Sequence, residues 1–315
     1  MSVGSAFGGL VSRVRRCDEP LRATILPASL GAMKIALATC LELPEPDFDQ
    51  RLLSDALCAR GAEASWQAWD DPEVDWAAFD LCVLRSTWDY PERPEAFASW
   101  LTETAERTRL ENPSSLALWN MHKRYLLELE ARGIPIVPTR LIERGRCSGL
   151  DATGAPQAWS EVVVKPAISA GSRLTMRVSD VNMAEGEAHF ASLIAREDVL
   201  IQPYLESIEG DGERSAVIID GEISHTIRKR PRFSQQDESI EGPIDLAPAD
   251  RALAERVLSA LEAPALLYGR VDLVTGPEGA PVVMELELLE PSLYLREHPP
   301  ALEALVAAIL ERAQA

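Results

Sequence analysis

The 315-residue sequence predicts an α/β unit followed by an α+β unit, and three observations carry that reading. Strand-like apolar runs alternate with a helical stretch before Pro113. After it, strand-like runs crowd together with few helices between them. A turn-rich segment, TGPEGA (275–280), then joins two long apolar strands near the C-terminus. Alternation implies an open parallel sheet with helical crossovers, whereas crowded strands imply antiparallel pairing.

Residues 1–32 hold Arg13, Arg15, Arg16 and Arg22 among small residues without periodicity. They are expected to be a disordered tail or a start-site extension, with the functional chain beginning near Met33. The first unit, 33–112, opens on the buried strand KIALAT (34–39), followed by a helix over 49–60 that Gly61 closes, and strands over 63–69 and 80–84. In 113–205, Ser114 or Ser115 caps one helix that carries Trp119, Lys123, Tyr125 and Leu129 and stops at Gly133-Ile134-Pro135. A short strand over 136–139 and a Gly, Ser and Ala-rich connection over 145–158 come next, then strands over 161–165, 174–178 and 199–204. In 206–315, strands over 215–220 and 223–228 precede a polar, aperiodic segment over 232–242 that reads as a mobile loop. The hairpin 267–274/281–288 and a helix over 301–313 end the chain. Trp66, Trp69, Trp76, Trp100, Trp119 and Trp159 read as packing residues.

Charge narrows the function classes. Lys and Arg total 31 against 50 Asp and Glu, a formal charge of −19, which repels phosphate backbones and anionic bilayers and disfavours nucleic-acid or membrane partners. Five scattered cysteines without a CxxC pair fit a reducing cytoplasm, and four histidines without HExxH spacing give no histidine metal cluster. No apolar run approaches the ~20 residues of a membrane helix.

Chemistry concentrates in a few places. Glu285 and Glu287 lie two apart on the last strand, so they share a face, and pairing can bring Asp272 beside them. Three acids amid VVMELELL are costly if buried without a counter-charge, which hard divalent cations supply; a solvated sheet face is the alternative. Arg270 shares the face of Asp272, a placement that suits a phosphoryl group in transfer. Lys165 ends the run Val162-Val163-Val164 and precedes a small-residue loop, Ser169-Ala170-Gly171-Ser172, whose N–H groups can cover phosphates. Lys123 is a solvent-facing helix lysine unless an anion meets it. In Gln202-Pro203-Tyr204-Leu205, the proline leaves neighbouring backbone groups open to a planar ligand, and Glu209 and Glu213 follow. Arg85, Ser86 and Asp89 end the third strand, where ligands of open α/β sheets lie. There Arg85 can clamp a carboxylate and Asp89 an ammonium, or the segment is a turn with packed aromatics.

Taken in order, the helix lysine, the strand lysine with its loop, QPYL with its acids, Arg270-Val271-Asp272 and Glu285-Leu286-Glu287 resemble the ATP-grasp superfamily, which includes glutathione synthetase, D-alanine–D-alanine ligase and the ribosomal-protein glutamate ligases. The resemblance spans roughly Asn112 to the C-terminus and implies a two-subdomain ATP-grasp fold, 113–205 and 206–315, behind an N-terminal substrate domain. It implies that Lys123 and Lys165 contact nucleotide phosphates and that Ser169, Ala170, Gly171 and Ser172 cover them. Gln202, Tyr204 and Leu205 would hold adenine, and Glu209 the ribose. Asp272, Glu285 and Glu287 would bind Mg2+, with Mn2+ as an alternative, while Arg270 stabilises the transferring phosphoryl group. Arg228 and Lys229 read as phosphate or substrate-carboxylate binders, Arg230 and Arg232 as a solvated edge, and Ser292 as a substrate contact. The family's usual ending is Glu-x-Asn, and Glu287 departs from it by an extra charge.

MELELLEPSLYL (284–295), RSTWDYP (85–91) and SHTIRK (224–229) are most similar to the branch that contains the cyclo-ligase of cycloserine biosynthesis, which acts on O-ureido-serine. The implied activity is ATP-dependent C–N ligation through an acyl phosphate on a small amino-acid-like carboxylate, releasing ADP and phosphate, in the cytoplasm. The implied partners are ATP and that small molecule, and a homo-oligomer is compatible with the sequence. Alternatives are ligation of an amino acid to a peptide or protein, and a non-catalytic ATP-binding scaffold.

Overall fold

A computed structural model describes residues 32–230, 239–261 and 266–315. The tail expected over 1–32 thus lies, but for Ala32, outside the described residues.

Strand β1 (Lys34–Thr39) is flanked by β2 (Glu63–Ala68) and β3 (Leu81–Ser86), all parallel, as strand–helix alternation requires. Helix α1 (Gln50–Ala59) stops where Gly61 takes a left-handed φ of 88°, a conformation glycine adopts without a Cβ penalty. Two elements exceed the sequence reading. Helix α2 (Pro94–Arg107) turns Phe97, Trp100, Leu101 and Thr104 inward at helical spacing, and β4 (Arg109–Glu111) completes the order β2-β1-β3-β4.

The single helix expected through Lys123 is two: α3 (Ser114–Met121) and α4 (Tyr125–Ala131). The break at 122–124 has a cause, because the Lys123 N–H donates to the Ala167 carbonyl at 2.8 Å instead of continuing the helix. The strand expected over 136–139 is reduced to a bridge from Ile136 to Val283. Pro135 and Pro138 remove the donors a ladder needs, and pairing resumes only at β5 (Arg140–Ile142). Strands β6 (Val162–Pro166), β7 (Met176–Val178) and β8 (Val199–Pro203) join β5 in an antiparallel sheet of order β5-β8-β6-β7. Helix α5 (Met183–Ile194) packs Phe190, Leu193 and Ile194 into its core.

After the single turn α6 (Ser207–Gly210), a five-stranded antiparallel sheet is built from β9 (Glu213–Ile219), β10 (Glu222–Arg230), β11 (Ser239–Glu241), β12 (Tyr268–Thr275) and β13 (Pro281–Glu287), in the order β11-β10-β9-β12-β13. Of the loop expected over 232–242, residues through 238 lie outside the described residues, and 239–241 are instead the edge strand β11, paired with 228–230. Helix α7 (Pro248–Ala260) and α4 cover the outer face of this sheet, burying Ala216, Val271, Leu273 and Leu286. Helix α8 (Pro299–Gln314) packs with α1, Val217 and Ile219. No helix among the described residues is long and apolar enough to cross a membrane.

Candidate active site

The β12–β13 register sets Arg270 opposite Glu287 and Asp272 opposite Glu285, while β9 sets Ser215 opposite Asp272. Alternation then puts these residues, with Glu213 and Lys229, on the inner face. Arg270 grips Asp272 with two bonds, Nε to Oδ1 at 2.8 Å and Nη2 to Oδ2 at 2.9 Å, and also pairs with Glu287. Lys229 reaches Asp272 Oδ2 at 3.2 Å and pairs with Glu213. From the α3–α4 break, Lys123 pairs with Glu285 and donates to the Ser169 carbonyl at 3.1 Å. The break therefore aims this lysine inward.

Buried ion networks cost desolvation, so their balance matters. Burial alone would raise the Asp272 carboxyl, but the Arg270 guanidinium and the Lys229 ammonium hold it well below the usual carboxylate range. Burial pushes Glu213 up to about 7 against the pull of Lys229. Lys123 is raised, because the Glu285 charge outweighs its burial. Lys165 is the contrast: buried at the end of β6, it has no hydrogen bond or ion pair to a described residue, and burial lowers it. Counting Lys123, Lys165, Lys229 and Arg270 against Glu213, Asp272, Glu285 and Glu287, formal charges cancel without every partner being matched.

Beyond Lys165, Gly171, Ser172 and Leu174 all take positive φ, 58°, 59° and 53°. The Arg173 and Thr175 N–H groups close turns on the Ala170 and Ser172 carbonyls at 3.0 and 3.1 Å, and Ser172 and Leu174 adopt left-handed backbone at a steric cost. Ser169 is buried, and Ala170 packs against the core of the first sheet.

The hinge expected to hold adenine is more engaged than the sequence suggests. Gln202 spends its amide on Thr139 Oγ1 at 2.9 Å, and Leu205 is buried with Val137, Ile208 and Val274. The Tyr204 hydroxyl donates to Glu209 at 2.6 Å, and the Arg177 guanidinium lies 3.6 Å from the Tyr204 ring centre while bonding both Glu161 and Glu209. Glu209 is lowered by the Tyr204 hydrogen bond and then by Arg177.

Five expected contacts are redirected. Arg228 faces away from Lys229, as adjacent strand residues must, and pairs with Glu241 at 3.0 Å on β11. Asp89 does not await an ammonium: it accepts from Trp69 Nε1 at 2.7 Å and pairs with Arg93. Ser86 is fully buried and donates to Thr39 Oγ1 at 3.1 Å. Arg85 is 2% exposed, reaches the Pro291 carbonyl at 3.4 Å, and leaves its Nε without a partner. Ser292 contributes its carbonyl to Arg270 at 3.3 Å.

Sequence reasoning passed over Arg177 and Glu161, a cross-strand pairing invisible without register, and Glu290. Glu290 is buried just past β13, and burial, then the Glu287 and Glu285 charges, push it up to about 8. Its position in the quoted run MELELLEP was the available signal.

As a test for a divalent cation, the donors are hard oxygens, but Asp272 engages both of its own with Arg270 and Lys229, whereas Glu285 and Glu287 each engage only Oε1. Among the described residues, no group of three or more His, Cys, Asp or Glu is gathered as a metal centre. The donor set fits such a cation through Glu285 and Glu287.

Comparison with known proteins places this geometry. The family described as "D-cycloserine synthetase DcsG, N-terminal domain" matches residues 35–112. The cycloserine biosynthesis protein DcsG of Streptomyces lavendulae is 35% identical over 266 residues, 79% of this chain and 88% of that protein. A crystal structure of D-cycloserine synthetase DcsG superposes with a TM-score of 0.79 at 34% identity, covering 89% of this chain and 99% of that one. An ATP-grasp RimK-domain protein of Sphaerobacter thermophilus gives 0.63 at 23% identity, covering 88% and 99%, and shares the fold. Fold and relatives define an enzyme with the ATP-grasp fold, of the carboxylate–amine ligase class. Within that class, the chain belongs to the DcsG family of D-cycloserine synthetases.

Proposed function

We propose that this chain uses ATP to convert the carboxylate of a small amino-acid-like molecule into an acyl phosphate, which a nitrogen of the same molecule then attacks to close a ring, releasing ADP and phosphate. The observation that carries the reading is the inner-face cluster: lysines from three elements and Arg270 converge on carboxylates with formal charges summing to zero, and Lys165 still lacks a partner. Phosphoryl transfer asks a protein mainly for positioning and charge neutralisation, and this cluster offers both.

In this reading, Lys165 and Lys123 take phosphate oxygens and the loop 169–172 covers them. Arg270 lies between Asp272 and the Ser292 carbonyl, so its guanidinium is held rigid for charge that grows on the transferring group. Arg177, Tyr204 and Glu209 form the rim for the nucleoside, Glu209 taking ribose hydroxyls, and the Gln202 and Leu205 backbone edge takes adenine. Glu285 and Glu287 would hold Mg2+, or Mn2+ in its place. When bound, that cation offsets phosphate charge. Asp272 serves chiefly to fix Arg270 and Lys229. Arg85, with its open Nε, suits the carboxylate end of the substrate.

The test is ADP release by the full chain with ATP and MgCl2, comparing O-ureido-serine with free amino acids and short peptides. Turnover restricted to O-ureido-serine is expected, with D-cycloserine as product once the carbamoyl group on the ring nitrogen is hydrolysed away as CO2 and ammonia; turnover restricted to peptides would replace this reading by peptide ligation. Lys165→Ala should raise the KM for ATP by about 10- to 100-fold, the loss of one charge-assisted phosphate contact.

A further inference from the structure

The segment after β13 is irregular, yet its backbone is held at every step. Five consecutive carbonyls each lie against a side-chain donor: Leu288 against Asn112 at 2.7 Å, Leu289 against the Tyr268 hydroxyl at 2.9 Å, which it shares with the Leu84 carbonyl at 2.5 Å, Glu290 against Trp88 Nε1 at 2.9 Å, Pro291 against Arg85 at 3.4 Å and Ser292 against Arg270 at 3.3 Å. Non-regular backbone is normally satisfied by water or by itself. Here donors from the first sheet and from β12 hold it in one conformation, as pre-organised sites require.

What this rail presents is the Glu290 side chain. It is 8% exposed and its carboxyl has no hydrogen bond or ion pair to a described residue, although it feels the charges of Glu287, Lys123, Glu285 and Arg270. Leaving a buried carboxyl unpartnered costs free energy, so folding alone gives no reason for it. The nearby carboxyls are otherwise engaged: Asp89 with Trp69 and Arg93, Glu213 with Lys229, Asp272 with Arg270 and Lys229, Glu285 with Lys123, and Glu287 with Arg270.

We propose that Glu290 is the catalytic residue that binds the attacking nitrogen of the substrate and takes its proton as the C–N bond forms. The assignment rests on the ligase reading above. The nitrogen lone pair attacks the carbonyl carbon of the acyl phosphate, the C–O bond of the mixed anhydride breaks, and its electron pair leaves with phosphate. The nitrogen's proton passes to the Glu290 carboxylate and from there to solvent. A carboxylate whose proton affinity is raised by burial is a stronger base than an exposed one.

The experiment partitions the two half-reactions in the full-length chain. With ATP, MgCl2 and O-ureido-serine, ring product is followed directly; with hydroxylamine added, the acyl phosphate is trapped as a hydroxamate, because this neutral, strong nucleophile needs no enzyme base. Glu290→Gln should lower ring closure by about 10²- to 10³-fold, keep hydroxamate formation within about threefold, and leave the KM for ATP unchanged; Glu290→Asp should recover part of the ring closure. Equal loss of both products in Glu290→Gln and Glu290→Asp, or retention of both in Glu290→Gln, overturns the assignment. If the wild type forms ring product but no hydroxamate, the acyl-phosphate reading fails, and the base assignment falls with it.

Discussion

The two faces of the five-stranded sheet are built from the same strands and treat charge differently. On the outer face, Arg214 and Asp250 of α7 close on one another through two bonds of 2.8 and 3.0 Å, with the Gly212 carbonyl as a third acceptor. On the inner face the charges are shared instead of paired off: Arg270 serves two carboxylates, Lys229 serves two, and Lys165 has no partner among the described residues, nor has Glu290 just past the sheet. A pair that closes on itself holds α7 to the sheet. A cluster whose charges are shared in this way can exchange partners without leaving a bare charge behind, which a closed pair cannot do.

Substitutions can break that contrast in graded ways. The largest effect is expected from Arg270→Ala on the inner face, which should lower kcat by about 10²-fold or more while leaving ATP affinity nearly intact; titration with a non-hydrolysable ATP analogue beside steady-state rates separates the two. On the outer face, Asp250→Ala strands Arg214 and should cost about 3–5 kcal/mol in denaturant unfolding, with kcat/KM within about twofold of the wild type. A kinetic loss without a stability loss would erase the distinction between the faces. The smallest effect depends on pH. Since the folded chain raises Glu290 from its ordinary 4.5 to about 8, its contribution to stability is present below 4.5 and is lost as pH climbs toward 8. Glu290→Gln should therefore differ least from the wild type near pH 5 and gain on it steadily toward pH 8.5, read from urea unfolding at both values.

Much of the fold was legible because periodicity is local. KIALAT, the helix closed at Gly61 and the TGPEGA hairpin each announce themselves within a dozen residues. The parts that were not legible depend on partners distant in sequence. Nothing near Lys123 states that Ala167 will take its N–H and split the helix. Nothing in 88–90 states that Asp89 is already claimed by Trp69 and Arg93. The inner face could be read because residues two apart on a strand must share a side, and the same rule, applied strictly, sends Arg228 away from Lys229. Glu290 escaped because irregular backbone has no period, so its direction is set by the five donors that hold it.

Asn112, the residue that follows β4, donates to the Tyr268 and Leu288 carbonyls at 2.8 and 2.7 Å and accepts from the Leu267 N–H at 3.0 Å. One fully buried side chain thereby rivets the parallel sheet to the root of the β12–β13 hairpin. The small sheet β5-β8-β6-β7 is joined differently, by packing: Ala167 and Leu200 lie in one core cluster with Val283 and Leu286, and Ile168 and Ala170 pack against the core of the first sheet. Arg85 and Arg270, which hold the Pro291 and Ser292 carbonyls, are therefore aligned by the two sheets that the Asn112 amide joins.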